Sequence, residues 1–171
     1  MNRSIKLLAF WVLAAACTCS AANDWEVLPN GVGPIKVGMR LSNLKTDLHL
    51  SYSIEFAQDS DQKTCFYANL RDQPGISLMI LNGRVARVDI DNKDTKSAEG
   101  IRNGDLEAHA LSVYGKRMKV TPHAYTGPEG HYLTVRTTDG RYGIRFETDE
   151  GKIVRYYAGR SDAISYIEGC E

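Results

Sequence analysis

The chain has 171 residues, with 21 basic and 21 acidic side chains and a formal net charge of zero. Loss of Arg3 and Lys6 with the first 22 residues would leave 19 basic and 21 acidic side chains, a formal charge of −2. This balance argues against nucleic acid and anionic membranes as partners. The 43% hydrophobic and 25% charged fractions argue against a disordered chain, and residues 23–171 suffice for one domain with a core.

The first 22 residues predict a signal peptide. Arg3 and Lys6 precede an apolar run, residues 7–16, which gives way to small residues. The run is shorter than the roughly 20 apolar residues that a permanent membrane span needs, and the sequence contains no longer apolar run. We therefore predict a periplasmic or secreted protein with no transmembrane span in the mature chain, residues 23–171.

The end of the signal peptide has two interpretations. Ser20-Ala21-Ala22 supplies the small residues that a signal peptidase reads, which predicts a free N-terminus at Asn23. Ala14-Ala15-Ala16-Cys17 instead resembles a lipobox, in which Cys17 would be acylated and would anchor the protein to a membrane. Bacterial lipoboxes usually carry Leu where this chain has Ala14, so the first ending is slightly favoured and the second stays open.

Only two cysteines, Cys65 and Cys170, follow the signal peptide. In an oxidising compartment we expect them to form a disulfide with each other; two free thiols or an intermolecular link are the alternatives. A bridge across about a hundred residues would stabilise the fold by roughly 4 to 5 kcal/mol in the chain-entropy model. It would also tie the C-terminal tail, residues 161–171, back onto the first half of the protein.

A short helix is predicted near the start of each half of the chain. Residues 35–39 include Gly38 and are followed by leucines at spacings of three and four; residues 101–105 include Gly104 and are followed by a similar apolar pattern. This spacing favours an amphipathic helix that begins just after each glycine.

Later in each half, two matching segments predict a β-hairpin. Residues 75–88 align without a gap on residues 143–156 and share the leading glycine, an isoleucine and a late arginine. Period-two alternation flanks Asn82-Gly83 in the first segment and Asp149-Glu150-Gly151 in the second, and these residue types tolerate positive φ. A further strand is predicted before each hairpin, near residues 64–70 and 131–136.

These elements predict an α+β fold built from two tandem helix-plus-antiparallel-sheet repeats. The repeats would cover about residues 30–92 and 97–160 of a single globular domain, residues 23–171. Their sheets should lie side by side, with the helices packed on one face.

The pattern resembles the tandem-repeat fold of the beta-lactamase inhibitory protein family, and its single unit resembles the SmpA/OmlA-type outer-membrane assembly lipoproteins. The residues that carry the resemblance are Val37-Gly38-Met39 before the first helix, and the hairpin steps Gly83-Arg84-Val85 and Gly151-Lys152-Ile153. The resemblance covers roughly residues 30–160 and implies a binding or assembly role. The second copy departs from the pattern with Asp105 in place of Met, and one predicted disulfide stands in place of the two within-repeat bridges of the inhibitor family.

Motifs for catalysis are missing from the sequence of residues 23–171. It contains no Gly-x-Ser-x-Gly elbow, no His-Glu-x-x-His, no Gly-rich phosphate loop and no Cys-x-x-Cys pair. The four histidines, His49, His109, His123 and His131, lack ligand spacing with another His, Cys or acid on a common helix face. We therefore predict a protein that is not an enzyme and has neither a cofactor nor a metal site; an enzyme of unrecognised type is the alternative.

Strand alternation predicts a binding surface on the sheet face opposite the helices. A sheet with helices on one side leaves its other face wet, and tyrosine and arginine are enriched at interface hot spots. The alternative is that cross-strand pairs simply stabilise a solvent-facing sheet. The residues predicted to point into the core are Leu133, Val135, Ile144, Phe146, Val154 and Tyr156. The residues predicted on the binding face are Tyr132, Thr134, Arg136, Arg145, Glu147, Arg155 and Tyr157, with Met79, Leu81 and Arg87 from the first repeat.

Two functional hypotheses follow. The first is an exported, non-enzymatic protein-binding module that uses this face, with nearby Tyr114, His123 and Tyr125, to grip an envelope or secreted protein and to inhibit a secreted or periplasmic enzyme. The second is a structural or assembly role as an accessory lipoprotein of the cell envelope, held at a membrane by an acylated Cys17.

Overall fold

A computed structural model of the protein describes residues 25–55 and 64–170. The predicted signal peptide and the candidate lipidation site Cys17 lie outside the described residues. Strands account for 44% and helices for 14% of the structure. The elements, in chain order, are β1 Glu26–Leu28, β2 Gly31–Val32, β3 Ile35–Lys36, α1 Leu41–Thr46, β4 Tyr52–Glu55, β5 Cys65–Leu70, β6 Ile76–Leu81, β7 Arg84–Ile90, β8 Lys96–Ser97, α2 Glu107–Tyr114, β9 Lys119–Pro122, β10 His131–Arg136, β11 Tyr142–Asp149 and β12 Lys152–Arg160.

The main feature of the fold is an eight-stranded antiparallel sheet with the order β4-β5-β6-β7-β12-β11-β10-β9. Its two halves join where β7 pairs with β12, in a register that sets Ile90 opposite Tyr156 and Val88 opposite Ala158. A second, smaller sheet has the order β3-β2-β1-β8.

The two predicted hairpins are confirmed. Asn82 and Gly83 have φ of 51° and 73°, and Glu150 and Gly151 have φ of 48° and 73°. Positive φ at both central residues gives the turn a twist that matches the twist of the flanking strands. Both hairpins also contain a register shift, after Met79 in one and after Glu147 in the other.

The predicted fold class is wrong. The protein is mostly β rather than a pair of helix-plus-sheet repeats, because strand pairing runs without a break through β7 and β12. The helices are also short: α1 has six residues, and α2 has eight and continues as a 3₁₀ turn at Gly115–Arg117. Strands as short as two residues, which form much of the small sheet, carry too little alternation to be recognised in the sequence.

One face of the large sheet, which we call the inner face, packs on the helices and the small sheet in a single apolar core. Phe146 is fully buried, and its ring lies 5.2 Å from that of Tyr156 and 5.8 Å from that of Tyr114 on α2. Leu44 on α1 and Ile35 on β3 are also fully buried. Burial of this apolar surface supplies most of the driving force for folding.

Five of the six predicted core residues lie on the inner face and are buried, whereas Val154 is 52% exposed. The exception has a local cause. The register of β11 and β12 passes from Glu147 opposite Arg155 to Thr148 opposite Ile153, so Val154 is the extra residue of a β-bulge. A bulge reverses the alternation that a sequence pattern assumes.

The opposite face of the sheet, the outer face, is covered in part by the C-terminal segment 161–170, which we call the strap. The strap contains a 3₁₀ turn, Ala163–Ser165, and its residues Ala163 and Cys170 pack on Met79 and Ala86 of the sheet. Gly169 passes so close to Tyr67 that a Cβ at this position would clash with the tyrosine hydroxyl.

Within the described residues, no helix is long and apolar enough to cross a membrane.

Candidate functional site

The predicted disulfide between Cys65 and Cys170 is present and fixes the end of the strap to the start of β5. The two cysteines are 105 residues apart in sequence, and their Cα atoms are 5.4 Å apart. The bond is compatible with an exported protein. It places the strap over the outer face, where the candidate site lies.

Arg87 organises the polar contacts beneath the strap. Its side chain is 4% exposed and forms a two-pronged ion pair with Asp89, with Nε donating to Oδ1 and Nη2 to Oδ2, each at 2.6 Å. Nη1 donates to the carbonyl oxygens of Ala163 and Tyr166 of the strap, both at 3.2 Å. The guanidinium therefore links the centre of the sheet to the strap by charge-assisted hydrogen bonds.

Two tyrosines complete the surroundings of Arg87. Nη2 also donates to the Tyr67 hydroxyl at 2.8 Å, and the guanidinium lies 4.3 Å from the centre of the Tyr157 ring. Burial raises the pKa of the Asp89 carboxyl, while the Arg87 guanidinium opposes that rise. The buried carboxylate thus depends on its arginine partner.

A cleft of about 310 Å³ opens between the outer face and the strap. The sheet contributes Tyr67, Arg87, Glu147, Arg155 and Tyr157, and the other walls are Tyr125 and strap residues 167–169. Its volume is at the lower end of the range for small-molecule sites.

Two polar atoms at the cleft are buried without a hydrogen bond of normal geometry, the Tyr157 hydroxyl oxygen and the Arg155 Nε. Burial raises the pKa of Tyr157, and the nearby Glu147 carboxylate adds to the rise, so the phenol stays protonated. Arg155 Nη2 makes only long ion pairs, at 3.9 Å to Asp89 and 3.6 Å to Asp91. Because buried polar groups are normally paired, these two atoms mark a place where water or a ligand group can bind.

Glu147 is held from the other side by His123. The imidazole Nδ1 accepts the backbone N–H groups of Tyr125 and Thr126, both at 3.2 Å, so the proton of the neutral ring lies on Nε2. Nε2 is 3.5 Å from a Glu147 oxygen, and the ring stacks at 4.4 Å on Tyr132. The histidine therefore orients the loop that carries Tyr125 and one carboxylate of the cleft.

The predicted binding-face residues do lie on the outer face, but the prediction that this face is open is wrong for half of them. Met79 is 0%, Arg87 4%, Tyr132 5% and Tyr157 2% exposed, because the strap and the loop around His123 cover them. Thr134 is 4% exposed, and its hydroxyl accepts from Arg145 Nε. The other five residues are accessible: Arg136 is exposed, and Leu81, Arg145, Glu147 and Arg155 are half-buried.

The cleft brings together Arg87, Glu147, Arg155 and Tyr157 from the predicted set, with Tyr125 from the predicted neighbouring loop. Tyr114 lies elsewhere, since it is buried on α2 against the inner-face residue Phe146. Sequence reasoning missed Tyr67 and Glu168 of the cleft. The predicted disulfide was the available signal, because joining Cys170 to Cys65 brings the neighbouring residues Glu168 and Tyr67 to the same part of the outer face.

A second polar cluster joins α2 to the sheet. The Thr148 hydroxyl donates to Glu107 Oε2 at 2.6 Å, and His131 Nδ1 lies 3.1 Å from the same oxygen. Thr148 is fully buried, and its hydroxyl oxygen also accepts the backbone N–H of His131 at 3.0 Å. This arrangement anchors the start of the helix. No group of three or more His, Cys, Asp or Glu side chains that could hold a metal ion occurs among the residues that the structure describes.

No protein-family model and no curated protein matches the chain. Among solved structures, the chain is similar to the uncharacterized protein yfeY from Escherichia coli, at 13% sequence identity and a TM-score of 0.49. The match covers 79% of this chain and 99% of that chain. The expected kinship with the beta-lactamase inhibitory protein family and the SmpA/OmlA-type lipoproteins stays a prediction.

Proposed function

We propose that the protein is an exported, non-enzymatic binding module that holds another envelope or secreted protein at the cleft beneath the strap. The observation that carries this proposal is the composition of the cleft: a charged floor with two unsatisfied polar atoms, next to exposed apolar side chains. Tyr125 is 65% and Ile167 49% exposed, and both line the cleft. Aromatic and apolar side chains around a polar centre are typical of protein-binding sites.

Rigidity of the site supports the same proposal. The strap is fixed by the disulfide at one end and by the bonds from Arg87 along its length. The loop with Tyr125 is fixed through His123, and the Tyr125 hydroxyl is hydrogen-bonded to the strap residue Glu168. A site whose walls are already ordered loses little entropy when a partner binds.

The test is a capture experiment with the protein purified after export and immobilised. The double variant Tyr125→Ala/Ile167→Ala removes the apolar side chains of the cleft, and Ile54→Ala/Val120→Ala is the matched control. The control residues are 45% and 43% exposed on the two edge strands. We expect a partner protein that wild type and control retain and that the cleft variant loses, at unchanged melting temperature. Equal retention by the cleft variant would contradict the proposal.

A further inference from the structure

We propose that the group which enters the cleft is an arginine side chain of the partner protein, with Glu147 and Glu168 as its counter-charges. This inference rests on the proposed function and adds to it the chemistry of the partner.

The first argument for a cation is the balance of charges in and around the cleft. Arg87 is neutralised by Asp89, and Arg155 faces Asp89 and Asp91. Glu147 and Glu168 are left over, since neither forms a salt bridge with an arginine or lysine in the described part of the chain. Glu147 faces the His123 ring, and Glu168 accepts from the Tyr125 hydroxyl. Arg145, opposite Tyr157 in the β11–β12 register, offsets one of these two charges, and the remaining surplus of carboxylate favours a cation.

The second argument is that the Tyr157 hydroxyl can accept a hydrogen bond from the cation. The hydroxyl belongs to a residue that is 2% exposed, it lines the cleft, and its polar neighbour is the Glu147 carboxylate, with which it makes no hydrogen bond of normal geometry. A hydroxyl oxygen has two lone pairs and accepts readily from a charged N–H group. Tyr157 and the two carboxylates thus offer a cation three acceptors around one small volume.

The walls and acceptors of the cleft favour the guanidinium of an arginine over the ammonium of a lysine. The exposed faces of Tyr125 and Ile167 suit the aliphatic stem of a long side chain, and the tyrosine ring adds an attraction to the cationic head. A guanidinium presents a flat fork of five donors, which can serve several acceptors at once, whereas an ammonium is a point charge. The unsatisfied Arg155 Nε then donates to a backbone carbonyl oxygen of the entering segment.

The experiment uses the exported protein labelled with ¹⁵N and titrated with the capped tripeptide acetyl-Gly-Arg-Gly-amide, with amide chemical shifts as the readout. The neutral isostere acetyl-Gly-citrulline-Gly-amide and the lysine tripeptide are the comparison probes. We expect the arginine peptide to shift amides around Glu147, Tyr157 and strap residues 167–169. The citrulline peptide should bind at least about tenfold more weakly, and the lysine peptide should fall between the two.

Three variants sharpen the test. Glu147→Gln should weaken binding of the arginine peptide about tenfold, and the more exposed Glu168→Gln about threefold to fivefold. Asp94→Asn, an exposed acid that does not line the cleft, should leave the affinity unchanged. Because Glu168 is exposed, its substitution does not threaten the fold.

Three kinds of result would overturn the inference: equal binding of the arginine and citrulline peptides, shifts that map away from the cleft, or absence of binding at millimolar peptide. The proposed function fails separately, by equal capture of partner on the Tyr125→Ala/Ile167→Ala variant. If capture depends on the apolar cleft residues but the peptides show no preference for arginine, the inference fails and the proposed function stands.

Discussion

The two faces of the large sheet are covered by different chemistry. On the inner face, Phe146, Leu78 and Tyr156 pack into a continuous apolar core under the helices and the small sheet. On the outer face, the strap is held over the Arg87–Asp89 ion pair by hydrogen bonds from Arg87 and by one disulfide. Apolar packing needs shape alone, whereas a polar interface requires a partner for every buried group. The polar atoms that lack a hydrogen bond of normal geometry at the cleft, the Tyr157 hydroxyl and Arg155 Nε, therefore lie on the outer face, where a ligand can supply the partner.

The largest expected effect lies on the inner face. Phe146→Ala removes a fully buried ring and should lower the free energy of unfolding by about 3 to 5 kcal/mol through lost burial and a residual cavity. Arg136→Ala, an exposed outer-face change on the neighbouring strand, should stay within about 0.5 kcal/mol of wild type. Urea unfolding of both variants measures the difference. Similar losses for the two would contradict the assignment of the faces.

The second prediction concerns the buried ion pair. Arg87→Met leaves the Asp89 carboxylate buried without its main partner and should cost about 3 to 4 kcal/mol. The double change Arg87→Met/Asp89→Leu removes both charges and should recover at least half of that loss. Denaturant titration of wild type, both single variants and the double variant forms a complete cycle. A double variant as unstable as Arg87→Met would show that the strap contacts of Arg87, rather than charge burial, dominate.

A smaller effect is expected from the disulfide. Cys65→Ala/Cys170→Ala should cost about 2 to 4 kcal/mol, because the bond closes a long loop and restricts the unfolded chain. This typical effect is smaller than the roughly 4 to 5 kcal/mol of the chain-entropy model, since a real unfolded chain retains structure. Release of the strap end should also raise amide hydrogen exchange along β7 near Arg87, while the amides of α2 on the inner face remain protected. Uniform exchange across the sheet would indicate that the strap is not a separate layer.

The smallest effect is a dependence on alkaline pH. Burial raises the pKa of the Tyr67 hydroxyl from 10.0 to about 12. The unfolded chain ionises this phenol at lower pH than the folded protein does, so stability should fall as pH rises from 10 to 12. Tyr67→Phe should cost about 1 kcal/mol at neutral pH, through the lost hydrogen bond from Arg87, and should flatten that decline. An unchanged slope in the variant would assign the decline to other groups.

Local features of this protein were predictable from its sequence. Turn residues at Asn82-Gly83 and Gly151 fix the hairpins, because Asn and Gly accept the positive φ found there at little cost. Strand alternation correctly placed Leu133 and Phe146 in the core. The disulfide followed from the count of cysteines in a chain that is predicted to be exported.

The remaining features depend on contacts between distant parts of the chain. Pairing of β7 with β12 turns what looked like two units into one sheet, and no local pattern encodes that register. The bulge at Val154 reverses alternation without a glycine or proline to signal it. The strap is short and lies outside both predicted repeats, so its position over Arg87 and Tyr157 could be inferred only from the spatial consequence of the disulfide.

The central claim, that the cleft on the outer face binds a partner through one of its arginines, is tested most directly by competition. A partner captured on the immobilised protein is challenged with acetyl-Gly-Arg-Gly-amide and, in parallel, with the citrulline peptide. The account predicts that the arginine peptide elutes the partner and that the citrulline peptide does not. Retention of the partner at a peptide concentration that saturates the cleft would contradict it.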